Sequence, residues 1–289
     1  MAGQSLNTSL LSAYLEALGS DFRNGANFAV SGSTTRPRNV RFALNVQIMQ
    51  FLHFKARSLQ LAAATTGSKG LINEEGFRNA LYMIDIGQND LAYPFTQNQS
   101  YSQVVPRIPL VIAEIKHALK TLYDEGGRKF WIHNTGPLGC LPELLWLAQP
   151  DKEDLDTSGC ISSQNSVAKL FNEALLQLCQ DIKSEMVDAT IVYVDIYSIK
   201  PLMACCGAGG PPYNFDQTMI CGDPRSQACT DGSRYISWDG IHYTEAANAI
   251  VAKRILSTHY SIPRISFNFL FQNHHIIEKD TDSMSVSEI

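Results

Sequence analysis

Three short runs of apolar, β-branched and aromatic residues punctuate the chain, at residues 80–86, 129–133 and 190–196, each ending in a turn or a change of composition. Runs of this length, rich in Ile, Val, Tyr and Trp, predict buried strands. Between them the apolar positions recur every three or four residues: Val111, Ile115, Leu119 and Leu122, then Leu170, Ala174, Leu178 and Ile182. That spacing predicts amphipathic helices over 101–123 and 162–186. Pro106 and Pro109 move the start of the first helix body to about Leu110, because proline removes an amide donor from a helix interior. Further helices are expected over 41–61 and 244–256, and a short strand over 27–30. Strands alternating with helices predict an α/β fold, a parallel sheet covered on both faces, with the chemistry at the carboxyl ends of its strands.

At 289 residues and 45% hydrophobic content the chain suits one core. No apolar run reaches the roughly 18 residues needed to cross a bilayer, so no stable membrane insertion is expected. A formal net charge of -5, with no concentrated basic face, argues against a nucleic-acid partner. Of seven cysteines, four (Cys205, Cys206, Cys221 and Cys229) crowd one Gly/Pro-rich stretch without a Cys-x-x-Cys pair. This spacing predicts disulfides rather than zinc, with Cys179 buried and free, and hence an oxidising compartment. The sequons Asn7-Thr-Ser9 and Asn98-Gln-Ser100 fit a secreted route. Residues 1–11 lack a basic start followed by an apolar core and do not read as a signal peptide. An oxidising destination without a leader suggests that an amino-terminal piece is absent from this sequence.

Chemistry concentrates in two motifs. In Asp239-Gly-Ile-His242 a carboxylate three residues before a histidine can turn back on the imidazole, fix its tautomer and leave the other ring nitrogen to take a proton from a hydroxyl. The bland alternative is a loop entering a helix, with Thr244 as N-cap and Glu245 in the first turn; it accounts for the Thr and Glu but not for the Asp/His pair. In Gly87-Gln-Asn89-Asp90, directly after a strand, the Asn89 amide is suited to a developing oxyanion, although the same residues are common in tight turns. No serine stands in a setting that marks it as the nucleophile. His274-His275 reads as a solvated pair in a polar tail rather than a metal site. Trp131, Trp146 and Trp238 are candidates for stacking on a sugar, with core packing the expected role of Trp131.

With the blocks Gly25-Ala-Asn27-Phe-Ala-Val-Ser31-Gly32-Ser33 and Asn134-Thr-Gly136-Pro-Leu-Gly139-Cys140-Leu-Pro142 added, the chain resembles the plant GDSL-type esterase/lipase family of the SGNH hydrolases from about Leu10 to about Tyr260. The resemblance implies a three-layer α/β/α fold with a parallel sheet of flavodoxin-like order, and a cofactor-free carboxylic ester hydrolase that works through an acyl-enzyme. It implies that Gly32 (backbone N–H) and Asn89 (side-chain amide) are oxyanion donors, His242 the general base and Asp239 its orienting partner. The family's Gly-Asp-Ser block and the strand before it, placed inside the sheet between the strand near Asn27 and the strand ending at Ile86, have no counterpart here. Residues 1–262 are therefore expected to form an amino-terminally truncated hydrolase domain, with 263–289 an irregular, disordered tail. The parent would be a secreted, cell-wall monomer acting on a small-molecule, polysaccharide or lipid ester. The chain as written is expected to lack serine-dependent activity, the alternatives being a non-catalytic carbohydrate- or lipid-binding remnant and a nonfunctional splice product.

Overall fold

The computed structural model describes residues 11–16, 20–37, 42–64, 71–197 and 203–266. In chain order they form β1 (Ser12–Ala13), β2 (Ala26–Asn27), α1 (Leu44–Ala64), α2 (Glu74–Asn79), β3 (Leu81–Asp85), α3 (Gln88–Thr96), α4 (Tyr101–Val104), α5 (Ile108–Asp124), β4 (Lys129–His133) and α6 (Pro142–Ala148). There follow α7 (Ser162–Asp181), β5 (Thr190–Val194), β6 (Cys206–Gly207), β7 (Gln227–Ala228), α8 (Glu245–Leu256) and β8 (Ser261–Ile262). The tail beyond Ser266, with His274 and His275, and the sequon at Asn7 lie outside the described residues.

β3, β4 and β5 run parallel and in register, Leu81 beside Lys129 beside Thr190 and Asp85 beside His133 beside Val194. Strand geometry sends alternate side chains to opposite faces, and two apolar clusters divide along that alternation. Phe130, Ile132, Ile191 and Tyr193 join the larger cluster with α1, α5 and α7. Trp131, Val192 and Val194 meet Ile255 of α8 on the other face. Burial on both faces explains why β4 and β5 read as continuous apolar runs, whereas β3, an edge strand among the described residues, leaves Met83 exposed. Trp131 is a core residue, 2% exposed.

Three details depart from the sequence reading. The chain leaving α8 turns back at Thr258, in the left-handed region at φ 66°, so β8 lies antiparallel on β5 and the sheet is not wholly parallel. β2 covers only Ala26–Asn27 and pairs with β1 in a separate two-stranded unit; among the described residues β3 ends the order β3-β4-β5-β8. Helix also begins earlier than Leu110. Pro106 falls in the 3-10 turn Val105–Arg107 and Pro109 in the first turn of α5, where an amide lacks an intrahelical acceptor anyway.

Three disulfides close the loops at the carboxyl end of the sheet: Cys140–Cys160, Cys205–Cys229 and Cys206–Cys221. Cys179 is free and buried, as expected, and burial pushes its thiol up to about 12. Beside the first disulfide, Gly139 donates to Asn165 Oδ1 at 2.9 Å and accepts from the Ile161 amide at 2.8 Å. A Cβ at Gly139 would fall on the Ile161 carbonyl oxygen. Backbone cannot swing aside as a side chain can, so Gly139→Ala should destabilise the protein by about 1–3 kcal/mol, read as a lower urea midpoint with the disulfides intact. An unchanged midpoint would show that the 138–141 segment is not held against Ile161.

Candidate active site

The segment 237–243 is a loop closed on itself. Trp238 donates its amide to the His242 carbonyl at 2.7 Å, and Thr244 donates to Ile236 O at 2.8 Å. Its floor is the disulfide-tied segment around β6: Cys205 donates to Ser237 O at 3.0 Å and Cys206 to Trp238 O at 2.6 Å. Gly240, at φ 100°, lies over Phe215, whose ring occupies the place a Cβ would take. Thr244 does cap α8, its hydroxyl accepting from Ala247 N at 3.2 Å. The helix-entry reading is therefore correct, and the Asp/His pair is present in addition to it.

Within this loop Asp239 is bound at both oxygens. Oδ1 accepts from the amides of Ile241 at 2.9 Å and His242 at 2.8 Å, and Oδ2 meets His242 Nδ1 at 2.7 Å. Burial is the largest single influence on this carboxyl and pushes it up. The imidazole and the two amides together outweigh burial and hold it below its ordinary 3.8. His242 is raised above 6.5, first by the hydrogen bond its ring donates to Asp239, against burial, with further support from the charges of Asp239 and Glu143. With Nδ1 taken by the carboxylate, Nε2 is left as a proton acceptor.

His242 lines a cavity of about 240 Å³ together with Asp85, Gln88, Gly136, Ile241, Tyr243 and Asn248, and with apolar walls from Leu138, Leu141 and Ile196. The Tyr243 hydroxyl reaches the space beside Gly136; burial, then the charge of Asp85, pushes it up to about 12, so it stays a neutral donor. No serine is among these lining residues.

Gly32 and Asn89 come together in a second cluster. Asn89 Nδ2 donates to Ser33 O at 2.9 Å, next to Gly32 at φ 73°. Buried Asp90 fastens the two segments by accepting from Thr35 N at 2.9 Å and Thr35 Oγ1 at 2.7 Å. Neither Gly32 nor Asn89 lines the cavity; the link is Gln88, the neighbour of Asn89 on the first turn of α3. An amide has two N–H donors, so the Ser33 contact leaves Asn89 one. Ser33 itself is engaged, donating to Phe42 O at 2.6 Å and accepting from Gln47 Nε2 at 2.7 Å. Ser237, 1% exposed, accepts from Gly240 N at 2.9 Å and serves the loop.

Sequence reasoning missed Asp85, Gln88, Tyr243, Asn248 and Glu143. Tyr243 and Asn248 follow His242 closely and were within reach of a local reading. The others are brought in by the fold, and only the position of Asp85 at a strand end hinted at its place.

The paired shifts set a pH window. The raised His242 contributes stability that is fully present below about 6.5 and lost as pH rises through its folded value. The lowered Asp239 contributes stability present above 3.8 and lost as pH falls through its folded value. Asp239→Asn should therefore fall furthest below the parent in denaturation midpoint between pH 3.8 and 6.5, with the two curves converging in stronger acid and drawing closer in alkali, where the amides of Ile241 and His242 still favour the carboxylate. Parallel curves across that range would show that the pair carries no linked charge.

Comparison with known proteins identifies the family. A family profile described as GDSL-like Lipase/Acylhydrolase matches residues 2–255. Among curated relatives, the Arabidopsis thaliana protein named GDSL esterase/lipase At1g09390 is 58% identical over 92% of this chain and 76% of its own length. GDSL esterase/lipase LIP-4 of the same plant is 56% identical over 92% and 75%. A more distant relative, Alpha-L-fucosidase 3 of Arabidopsis thaliana, is 36% identical over 87% and 76%. On this profile and these identities, the chain belongs to the GDSL-like lipase/acylhydrolase family.

Proposed function

We propose that this chain carries the base half of a plant GDSL-type carboxylic ester hydrolase. The observation that carries the reading is the 2.7 Å contact of His242 Nδ1 with Asp239 at the edge of the cavity. Nε2 takes the proton of an attacking hydroxyl, the oxygen adds to the ester carbonyl, and Gly32 N–H and the remaining Asn89 N–H receive the oxyanion. Collapse of the tetrahedral adduct returns the proton from His242 to the leaving alkoxide. The same nitrogen then activates water to release the acid and regenerate the hydroxyl. With this reading goes a three-layer α/β/α fold with a flavodoxin-like sheet, supported by the parallel pairing of β3, β4 and β5. Three disulfides support a secreted protein, and among the described residues no helix is long and apolar enough to cross a membrane.

The hydroxyl is supplied by a Gly-Asp-Ser segment. Joined to such a segment of the family type, the protein should hydrolyse short-chain aryl esters, and His242→Ala should lower turnover by roughly 10⁶-fold, as loss of a triad base does. An active joined protein that is indifferent to His242→Ala would refute the mechanism.

That no serine lines the cavity among the described residues favours a second reading for the 289-residue polypeptide taken alone, that of a non-catalytic binder of carbohydrate or lipid. A fluorophosphonate probe should leave that polypeptide unlabelled while it gives a saturable ligand isotherm. Stoichiometric labelling of any one serine would overturn this and identify the nucleophile.

A further inference from the structure

α6 packs directly on the loop that carries the Asp/His pair. The Glu143 amide donates to Gly240 O at 3.2 Å. One turn further on, Trp146 meets Phe215 edge-on, ring centroids 5.9 Å apart, and Phe215 is the ring beneath Gly240. The Glu143 amide and the Trp146 ring thus fasten the start of α6 to the segment between Asp239 and His242. Leu138 and Leu141, just before α6, form the cavity wall beside the imidazole.

We infer that Glu143 is a second positioning carboxylate for His242, stabilising from across the loop the imidazolium that forms when the ring takes a proton. The inference rests on the reading of His242 as the general base. A proton accepted at Nε2 creates a positive charge, and a half-buried carboxylate on an element fastened to the loop attracts it more strongly than a solvated one would. The charges agree with this. Burial first, then Asp239, raises the Glu143 carboxyl while His242 lowers it, and Glu143 in turn helps to raise His242. The titratable groups around the ring are Asp239 on its own loop, Glu143 from α6, Asp85 from the end of β3 and the neighbouring Tyr243. Tyr243 is neutral over the working range, so among the described residues Glu143 and Asp85 are the acids beyond the loop itself. A carboxylate from α6 in addition to Asp239 would keep the imidazolium supported while the ring moves between nucleophile and leaving group. When Glu143 is itself protonated in acid, that support is withdrawn.

The test is the NMR titration of the His242 Cε1–H resonance in the 289-residue protein, assigned by its loss in His242→Gln. Glu143→Gln, nearly isosteric and neutral, should move the midpoint to lower pH. Glu143→Asp should keep most of the elevation, and Glu153→Gln, at an exposed position, should change nothing. A midpoint identical in the parent and in folded Glu143→Gln would overturn the inference, and so would equal shifts in Glu143→Gln and Glu143→Asp, which would mark a packing effect. Asp239→Asn separates this from the larger reading: if it lowers the midpoint and Glu143→Gln does not, only the role of Glu143 fails, and if neither does, the base assignment fails as well.

Discussion

The Asp239 carboxylate carries the organisation of the site. One of its oxygens holds the backbone of the loop through two amides and the other holds the imidazole. Shape and chemistry are thus tied to one group. The same carboxylate that folds 239–242 into a tight turn decides which nitrogen of His242 is free to accept a proton. Its residual exposure, 23% against 64% for the histidine, puts the acid inside and the imidazole towards solvent, the arrangement the proposed base role calls for. Because both residues face solvent in part, the pair adds little to global stability, and its value lies in orientation.

Orientation requires that the loop itself be held, and the chain does this with covalent and steric constraints rather than with the main sheet. β6 is tied by disulfides through Cys205 and Cys206, and its amides donate to the carbonyls of Ser237 and Trp238. Phe215 leaves room for glycine alone at position 240. On the facing side Cys140–Cys160 and the Gly139–Ile161 contact fix the segment that supplies Leu138 and Leu141 to the cavity. A disulfide restricts the unfolded chain more than it strengthens the folded one. Here the three bonds also join loops with little regular structure of their own to share.

Much of the fold was legible because its signals are local or periodic. β3, β4 and β5 were readable since both their faces are apolar, and α5 and α7 since one side of each helix is. The Asp/His pair was legible for a similar reason, three residues apart on one loop. Gly87-Gln-Asn89-Asp90 was harder: glycine, asparagine and aspartate serve turns and helix starts alike, and Gly87, at φ 114°, turned out to open α3. Disulfides were foreseeable from crowding, but not their partners, because spacing does not determine connectivity. Glu143, Asp85 and Gln88 were hidden because the residues they meet are far away in sequence. The antiparallel return of β8 was hidden because two residues give no periodicity to read.

The central claim is that Asp239 fixes the His242 tautomer with the proton on Nδ1 and the lone pair on Nε2. Long-range nitrogen–proton correlation NMR on the neutral ring, at a pH above its raised midpoint, measures this directly. The account predicts a protonated Nδ1, hydrogen-bonded to the carboxylate, and an Nε2 with the chemical shift of an unprotonated imidazole nitrogen. A ring found with its proton on Nε2 would contradict it, since no base would then face the cavity.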